Sequence, residues 1–354
     1  MKIYIISGEK SGDLHGSNLA TEMYKKDNTI KLRGFGGNKM KESGIEVVKH
    51  INQLSFMGFT EVIKNLFVIK KNLDFCKDDI ISFNPDKIIL IDFPGFNLRI
   101  AKFAKQRGIK VYYYISPKVW AWKKNRVEQI RNYIDELIVI FPFEVDFFYK
   151  NNIRSHYFGN PLTDLLDDKI KTLSSDKKII SILPGSRKQE VKKNLPVMLK
   201  LTKEFPDYNF VIASTDAMFT ICKEVSNRYD VLIEKENTYS VLKSSELALV
   251  TSGTATLETA LLNIPQIVCY KTDKLTYLLA KLFVKIKWIS LVNIIMNKEV
   301  VKELIQDKMN TESLKSEINL LLSDSEKIKI DYKKLKEILK SDKVSEKIAK
   351  FILT

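Results

Sequence analysis

The sequence predicts an α/β protein with two doubly wound domains that face a cleft. Short apolar runs of strand type alternate with helical patterns, and the alternation begins again after a polar stretch at 164–178. Alternation of this kind is typical of parallel sheets covered by helices, and 354 residues are enough for about two domains. We assign residues 1–163 and 164–340 to the two domains. Residues 341–354 are predicted to form a C-terminal helix that packs on the first domain or on a partner subunit.

The composition is that of a soluble protein with a positively charged surface. Apolar residues make up 45% of the chain and charged residues 29%, and the formal net charge is +15. Only eight of the 58 basic residues are Arg, which argues against a nucleic-acid surface. Phosphates or an acidic membrane face are the expected anionic partners. The sequence contains neither a signal-peptide pattern nor a long uncharged apolar span, so we expect a cytoplasmic protein.

In the first half of the chain, six short runs are typical of strands. They are Lys2–Ser7, Lys31–Gly37, Ile45–Lys49, Lys87–Asp92, Lys110–Ile115 and Glu136–Phe141. A glycine-rich turn follows the first run, and Ser11 or Asp13 in that turn can cap the next helix. Ligands of doubly wound sheets bind at the carboxyl ends of strands. Asp92 is therefore the candidate general base, with Glu9 and Asp13 as alternatives.

Two aromatic segments of this half admit two interpretations each. Leu54–Leu73 contains more large apolar residues than one buried helix face needs, with Lys64, Lys70 and Lys71 beside them. It is either a core helix or an apolar lip that touches a bilayer. The second segment contains Trp120 and Trp122 before a basic run. These two side chains either pack in the core or form an amphipathic anchor.

In the second half, five further runs are typical of strands. They are Lys178–Leu183, Asn209–Ala213, Val231–Glu234, Leu247–Val250 and Gln266–Tyr270. Residues 275–295 mix apolar side chains with lysines and are too charged to span a bilayer. From Lys298 to Thr354 the pattern is helical and rich in Lys and Glu.

Two strand-turn-helix junctions in the second half are candidate phosphate sites, because such a junction points backbone N–H groups and a helix dipole at one place. In the LPGSR junction, Arg187 is placed to clamp a diphosphate. In the TSGT junction, Ser252 and Thr254 add hydroxyl donors, and Gly253 permits close approach of a ligand. Glu258, one turn later, could accept ribose hydroxyls. The alternative is that these residues only cap ordinary helices.

The chain contains no DxD motif, a pattern that many metal-dependent nucleotide-sugar enzymes use. We therefore expect no metal and no cofactor, since Arg187 and two helix N-termini could stabilise a leaving diphosphate. Two Rossmann-like domains with such a site have the outline of a GT-B glycosyltransferase.

A set of motifs in a fixed order is more specific than any one of them. From Ser7 to about Gln306 the chain contains SGEKSGDLHG, GFGG, LSFMGFTEV, IDFPGFN, SPKVWAW, PFE, LPGSR, SGTATLE, SLVN and VVKELIQ. The ordered set resembles the lipid-A-disaccharide synthase family of bacterial lipopolysaccharide biosynthesis. The resemblance covers most of the chain.

The resemblance implies an inverting glycosyltransferase. Such an enzyme would join UDP-2,3-diacylglucosamine to 2,3-diacylglucosamine 1-phosphate, giving the β-1,6 disaccharide 1-phosphate and UDP. Both substrates carry acyl chains, so a peripheral location on the cytoplasmic face of the inner membrane is expected. Whether the protein is a monomer or a homodimer is left open.

The resemblance also assigns roles by position. Asp92 would be the general base. The diphosphate would be held by Arg187, Ser252, Gly253 and Thr254, the ribose would be bound by Glu258, and two further residues near the donor would be Tyr270 and Asn293. The acceptor side would be lined by Glu9, Ser11, Gly12, Asp13 and Trp120.

The chain departs from the family pattern at four positions. Asn160 stands where the family has a histidine in a GHP turn, and Lys10 stands where a small residue is common. Val292 replaces the proline of SLPN, and Lys271 replaces an arginine. None of these positions has a chemical role in the assignment above.

The alternatives to this function are another GT-B enzyme, such as a UDP-GlcNAc epimerase or transferase, and a basic nucleic-acid-binding protein.

Overall fold

The computed structural model describes residues 1–54, 66–120, 125–165, 170–273, 277, 287–339 and 341–354. The chain divides into two compact units, one formed by Met1–Asp164 with Ser341–Thr354 and the other by Leu165–Lys340. Trp122 and residues 55–65 of the Leu54–Leu73 segment fall outside the described residues.

The first unit is built on a seven-stranded parallel sheet. Its strands are β1 (Lys2–Ser7), β2 (Lys31–Gly36), β3 (Glu46–His50), β4 (Lys87–Ile91), β5 (Lys110–Tyr114), β6 (Glu136–Val139) and β7 (Ser155–Tyr157), in the order β3-β2-β1-β4-β5-β6-β7. Its helices include α1 (Lys10–Lys26), α2 (Asn38–Glu42), α3 (Leu66–Phe83), α4 (Pro94–Gln106), α5 (Asn125–Tyr133) and α6 (Pro142–Tyr149).

Apolar side chains cover both faces of this sheet. Ile3 and Ile5 of β1 belong to one hydrophobic core, whereas Tyr4 and Ile6 belong to another, and all four are fully buried. A parallel sheet with helices on both faces requires strands that are apolar at successive positions. This requirement explains the unbroken apolar runs that the sequence shows at β1 and β4.

The second unit is built on a six-stranded parallel sheet. Its strands are β8 (Lys178–Leu183), β9 (Tyr208–Ser214), β10 (Leu232–Lys235), β11 (Ser245–Thr251), β12 (Gln266–Tyr270) and β13 (Lys302–Ile305), in the order β10-β9-β8-β11-β12-β13. Its helices include α7 (Lys188–Leu199), α8 (Asp216–Ser226), α9 (Thr238–Lys243), α10 (Thr254–Leu261), α11 (Leu291–Met296), α12 (Thr311–Ser323) and α13 (Glu326–Leu339). Two doubly wound parallel sheets confirm the predicted fold class.

Two edge strands differ from the sequence-based expectation. The chain forms β7, where no strand was predicted, and it forms β13 inside the region from Lys298 that was predicted to be helical. The helical prediction is wrong at the four residues of β13. In β13 Leu304 is buried while Lys302 is exposed, and a run so short and polar shows no strand periodicity. Its pairing with β12 is a tertiary effect.

The last helix, α14 (Val344–Leu353), belongs to the first unit. Its buried residues Val344 and Ile352 share a hydrophobic core with α1. The carboxylate of Asp164 accepts hydrogen bonds from the backbone N–H groups of Val344 at 3.1 Å and Ser345 at 3.0 Å. A residue from the end of the first segment therefore caps the helix that returns to it.

The cap on α14 can be tested by substitution. Asp164→Ala removes both acceptor oxygens and should lower the free energy of unfolding by about 1 kcal/mol, because two helical N–H groups lose their partners. Asp164→Asn keeps one acceptor oxygen and should cost less. Urea unfolding followed by circular dichroism compares the three proteins. Equal stability of the Ala variant and the wild type would contradict the capping role.

Candidate functional site

Each unit places its candidate residues at a point where the strand order reverses. In the first unit β1 is followed by β2 and β3 on one side, and β4 then pairs with the other side of β1. In the second unit β8 is followed by β9 and β10 on one side, and β11 then pairs with the other side of β8. Ligands of doubly wound sheets bind at the carboxyl ends of the strands at such a point. Glu9 and Asp92 follow β1 and β4, and Arg187 and Ser252 follow β8 and β11.

The backbone at Asp92 and Phe93 is left-handed, with φ angles of +46° and +49°. Residues other than glycine rarely occupy this region, and each such residue costs about 1–3 kcal/mol that the surrounding structure must offset. The Phe93 ring lies directly over Gly8, where an added Cβ would come within 2.3 Å of the ring. Phe93 also stacks on Phe96, with 5.4 Å between ring centroids. Gly8 is therefore needed for the close approach that holds this turn.

The charge environment of Asp92 suits a general base. Burial, together with the negative charge of Glu9, raises the pKa of Asp92 to about 6, against the opposing effects of Lys118 and Arg126. A carboxylate with a pKa near the working pH is largely ionised and still basic enough to accept a proton.

The Asp13 carboxylate, in contrast, is engaged by the backbone. One oxygen accepts the N–H groups of Gly37 at 2.6 Å and Met40 at 3.1 Å, and the other accepts that of Lys39 at 3.1 Å. These bonds cap α2. Of the three carboxylates predicted as candidates, the geometry favours Asp92 as the base and gives Asp13 a structural bond pattern.

The remaining acceptor-side residues lie at the start of α1. Glu9 is the N-cap residue of α1, and Ser11 is exposed in its first turn. Gly12 is buried against β1, since an added Cβ would lie 2.6 Å from the Ser7 hydroxyl. The turn between β1 and α1 thus combines one carboxylate and one hydroxyl with a tightly packed glycine.

Trp120 is held by a buried carboxylate to which the sequence analysis gave no role. Glu144, only 1% exposed, accepts hydrogen bonds from Trp120 Nε1 at 3.1 Å and from the Ser116 hydroxyl at 2.8 Å. Its second oxygen accepts the N–H groups of Ile140 and Phe141, each at 3.1 Å. Four donors satisfy this buried charge, and they fix Trp120 beyond the carboxyl end of β5. The PFE motif was the signal in the sequence.

In the second unit, Arg187 begins α7 beside Glu190 and Tyr270. The Arg187 guanidinium donates to Glu190 at 3.2 Å, and the Arg187 side chain is 64% exposed. Burial raises the pKa of Tyr270, Glu190 raises it further and Arg187 opposes the rise. Gly185, with φ of +107°, lies so close to Glu190 and Thr251 that an added Cβ would meet them at 2.6 and 3.3 Å. The ends of β8, β11 and β12 therefore converge on Arg187.

The turn between β11 and α10 leaves room at its glycine. Gly253 has φ of +146°, and an added Cβ there would meet no described atom within 4 Å. Thr254 is exposed at the start of the helix. The Ser252 hydroxyl donates to the carbonyl of Ile289 at 2.9 Å. Ser252 therefore links this turn to the segment before α11.

Asn293 and Glu303 hold that segment in place. The Asn293 amide donates to the carbonyl of Val301 and to Glu303, both at 2.9 Å, and its oxygen accepts the N–H groups of residues 300 and 301. Glu303 also accepts the N–H groups of Ile289 and Ser290. The Asn293 side chain, fully buried, thus uses its whole hydrogen-bonding capacity within the protein. Glu303 lies in the VVKELIQ motif, but the motif alone predicts no role for it.

Glu258 is oriented by a tyrosine. Tyr239 donates to Glu258 Oε1 at 3.0 Å. Burial raises the pKa of Glu258, and the hydrogen bond from Tyr239 opposes the rise. One carboxylate oxygen therefore has a fixed partner. No sequence pattern points to Tyr239, because the contact joins two different helices, α9 and α10.

Comparison with known proteins gives a consistent result. A family model described as lipid-A-disaccharide synthetase matches residues 3–352. Lipid-A-disaccharide synthase of Geobacter sulfurreducens is 34% identical over 371 residues, covering 99% of this chain and 96% of that protein. The enzyme of the same name from Syntrophus aciditrophicus is 37% identical over 343 residues, covering 92% and 90%.

Solved structures with the same fold include UDP-GlcNAc 2-epimerase from Neisseria meningitidis bound to UDP-GlcNAc. The TM-score is 0.71, with 100% of both chains covered and 14% sequence identity. A glycosyltransferase of kitacinnamycin is similar with a TM-score of 0.69 and 13% identity, covering 99% of this chain and 98% of that chain. At such low identity the likeness shows the fold alone.

The raised pKa of Asp92 predicts a pH-dependent gain of stability in Asp92→Asn. The folded protein disfavours the charged form of Asp92, so ionisation of this group lowers the stability of the wild type. The loss of stability is complete above pH 6, and it becomes small near pH 4, where Asp92 of the folded protein is protonated. At pH 8 the free energy of unfolding of the variant should exceed that of the wild type by about 1–3 kcal/mol. At pH 4 the two values should differ little.

Thermal unfolding at both pH values measures this difference, with Asp230→Asn as a control at an exposed carboxylate. An equal gain at both pH values, or a gain as large in the control, would contradict the assigned environment of Asp92.

Proposed function

The chain belongs to the lipid-A-disaccharide synthase family, and from that premise we propose that it joins UDP-2,3-diacylglucosamine to 2,3-diacylglucosamine 1-phosphate. The products are the β-1,6 disaccharide 1-phosphate and UDP. The single structural observation that carries the proposal is Asp92, a strand-end carboxylate with a pKa raised to about 6 at the switch point of the first sheet.

Asp92 acts as the general base. It accepts the proton of the acceptor 6-hydroxyl while that oxygen bonds to the anomeric carbon of the donor sugar. The bond from the anomeric carbon to the diphosphate oxygen breaks on the opposite side, so the configuration inverts and UDP departs with the bonding electrons. The acceptor-side residues in this proposal are Glu9, Ser11, Gly12 and Trp120. The fixed position of Trp120 against Glu144 supports its use as part of an acceptor wall.

The second unit stabilises the leaving diphosphate. Arg187, with its exposed guanidinium, provides a planar cation for the phosphate oxygens, and the turn at 252–254 provides the N-terminus of α10. Glu258 accepts ribose hydroxyls, and Tyr270 lies beside Arg187. The Asn293 amide is already bonded within the protein. Asn293 therefore contributes to donor binding indirectly, by holding the segment before α11 in place. Charge that develops on the leaving group is thereby met by preorganised donors.

The proposed reaction is tested by UDP release from the two acylated substrates. The wild type should form the disaccharide and UDP in equal amounts. Asp92→Asn should lose about 10²–10⁴-fold in kcat and retain UDP binding, because it removes the proton acceptor and leaves the donor site intact. Arg187→Ala should instead weaken UDP binding by about 1.5–3 kcal/mol, because it removes a charged hydrogen bond.

Calorimetric titration with UDP separates these two patterns. A wild type that releases no UDP would contradict the proposed activity. Near-normal turnover of Asp92→Asn would contradict its role as the base.

We also propose that the protein binds the cytoplasmic face of the inner membrane through α3. Among the described residues no helix is both long and apolar enough to cross a bilayer, so any contact is with its surface. Phe67 is 80% exposed and Phe75 is 43% exposed. Lys70, Lys71, Asp74 and Asp78 line the same groove of the helix surface as these rings. Leu73, by contrast, packs in the core, so this helix has a core face and an exposed face on which two aromatic rings stand among charged side chains.

The membrane proposal predicts that Phe67→Ser with Phe75→Ser weakens sedimentation with phosphatidylglycerol vesicles. Each ring inserts apolar surface into the bilayer interface, and the substitutions remove that surface without changing the charge of the groove. The UDP affinity should remain unchanged, and the melting temperature should fall only modestly, because Phe67 is exposed and Phe75 packs on Phe35 with part of its ring. Leu320→Ser, at a residue 59% exposed in the second unit, is the control and should bind vesicles like the wild type. Unchanged sedimentation of the double variant would exclude this surface.

A further inference from the structure

Two buried side chains donate hydrogen bonds to the backbone carbonyl of Asp92. The Tyr113 hydroxyl, on β5, lies 2.5 Å from this oxygen. The Asn97 amide, on α4, lies 2.8 Å from it. Both side chains are fully buried. The N–H group of Asp92 donates in turn to the carbonyl of Tyr114 at 3.1 Å, so the peptide groups on both sides of Asp92 are bonded.

These bonds act on a backbone that would otherwise relax. Asp92 and Phe93 are both left-handed, and two successive residues of this kind persist only where the surroundings enforce them. A relaxed φ angle would rotate the Cα–Cβ bond and move the carboxylate. The carbonyl of Asp92 belongs to the peptide between the two left-handed residues. Tyr113 and Asn97 therefore bond to the group on which both unusual conformations depend.

Tyr114 shows that these contacts are more than a consequence of burying a tyrosine. Its ring is 1% exposed, and its hydroxyl has no hydrogen-bond partner among the described residues. Adjacent residues of one strand thus bury two tyrosine hydroxyls, and only that of Tyr113 is aimed at the Asp92 turn.

We propose that Tyr113 and Asn97 are positioning residues that hold the Asp92 carboxylate in its reactive place by fixing the left-handed turn. The inference rests on the proposed function, in which Asp92 is the base. Neither residue touches the substrate in this account. Their contribution reaches the reaction through the backbone of Asp92.

The test compares Tyr113→Phe with Tyr114→Phe. Each substitution deletes one buried hydroxyl from β5, but only the first removes a bond to Asp92. Tyr113→Phe should lower kcat about 10- to 100-fold, since small displacements of a catalytic group have effects of that size. The KM values and the UDP affinity should stay within about twofold of the wild type, as expected for an interaction used only in the chemical step. Tyr114→Phe should leave kcat within about twofold.

The pH profile provides a readout that a purely structural role would not move. Burial raises the pKa of Asp92 most, Glu9 raises it further, and Lys118, the Phe93 N–H group and Arg126 oppose the rise. In the wild type, kcat should fall as the pH is lowered through about 6, because Asp92 becomes protonated. In Tyr113→Phe the fall should occur at lower pH, since a loosened turn lets water reach the carboxylate. In Tyr114→Phe it should not move.

Asn97→Ala removes the second donor and provides an independent variant if Tyr113→Phe does not fold. It should show the same loss of kcat with unchanged UDP affinity. An active wild type with equal kcat and pH profile in the two tyrosine variants would overturn this inference alone. So would a loss of kcat that is matched by an equal loss of UDP affinity. A wild type inactive with both substrates would overturn the proposed function and this inference with it.

Discussion

The left-handed turn at Asp92 and Phe93 is the constraint around which the first unit is arranged. It lies at the end of β4, between β1 and β5 in the sheet. Gly8, directly after β1, admits the Phe93 ring, and β5 supplies the Tyr114 carbonyl that accepts the Asp92 N–H. A turn of this kind is unfavourable in isolation. Neighbouring strands must be in register before it can form, so the reactive group depends on the completed sheet.

Three other buried or half-buried carboxylates of the chain differ from Asp92 in the number of their hydrogen-bond partners. Asp13, Glu144 and Glu303 each accept three or more hydrogen bonds from backbone or side-chain donors. Bonds of this number occupy the carboxylate oxygens and leave little capacity to bind a ligand. Asp92 has fewer such partners, and burial acts on it without the same compensation. The contrast explains why one acidic residue suits proton transfer while others fix loops.

The fold class and the outline of the site follow from local sequence patterns. Unbroken apolar runs at β1, β4, β8 and β11 predict buried parallel strands, and the residues after them predict where chemistry occurs. Asp92 and Arg187 are predicted in this way, because strand ends and turn-to-helix junctions are visible in a sequence. The family was identified from ten motifs in order, and the comparisons confirm it.

What local patterns did not reveal depends on contacts between distant residues. Asp13 bonds to a turn more than twenty residues away, and Asn293 is bonded to the strand that follows it. Their residue types fit catalysis and structural bonding equally well, so only the fold distinguishes the two roles. The left-handed backbone at Phe93 is equally hidden, since phenylalanine has no preference for that region. The strand at β13 exists only because β12 offers an edge to pair with.

The central claim is that the fold gives one strand-end carboxylate the properties of a base, and its titration tests this most directly. The carboxyl carbon of Asp92 can be followed by NMR in protein labelled with ¹³C-aspartate, with its resonance assigned by its loss in Asp92→Asn. The account predicts a midpoint at about 6. A midpoint near 4, the ordinary value for an aspartate, would contradict it.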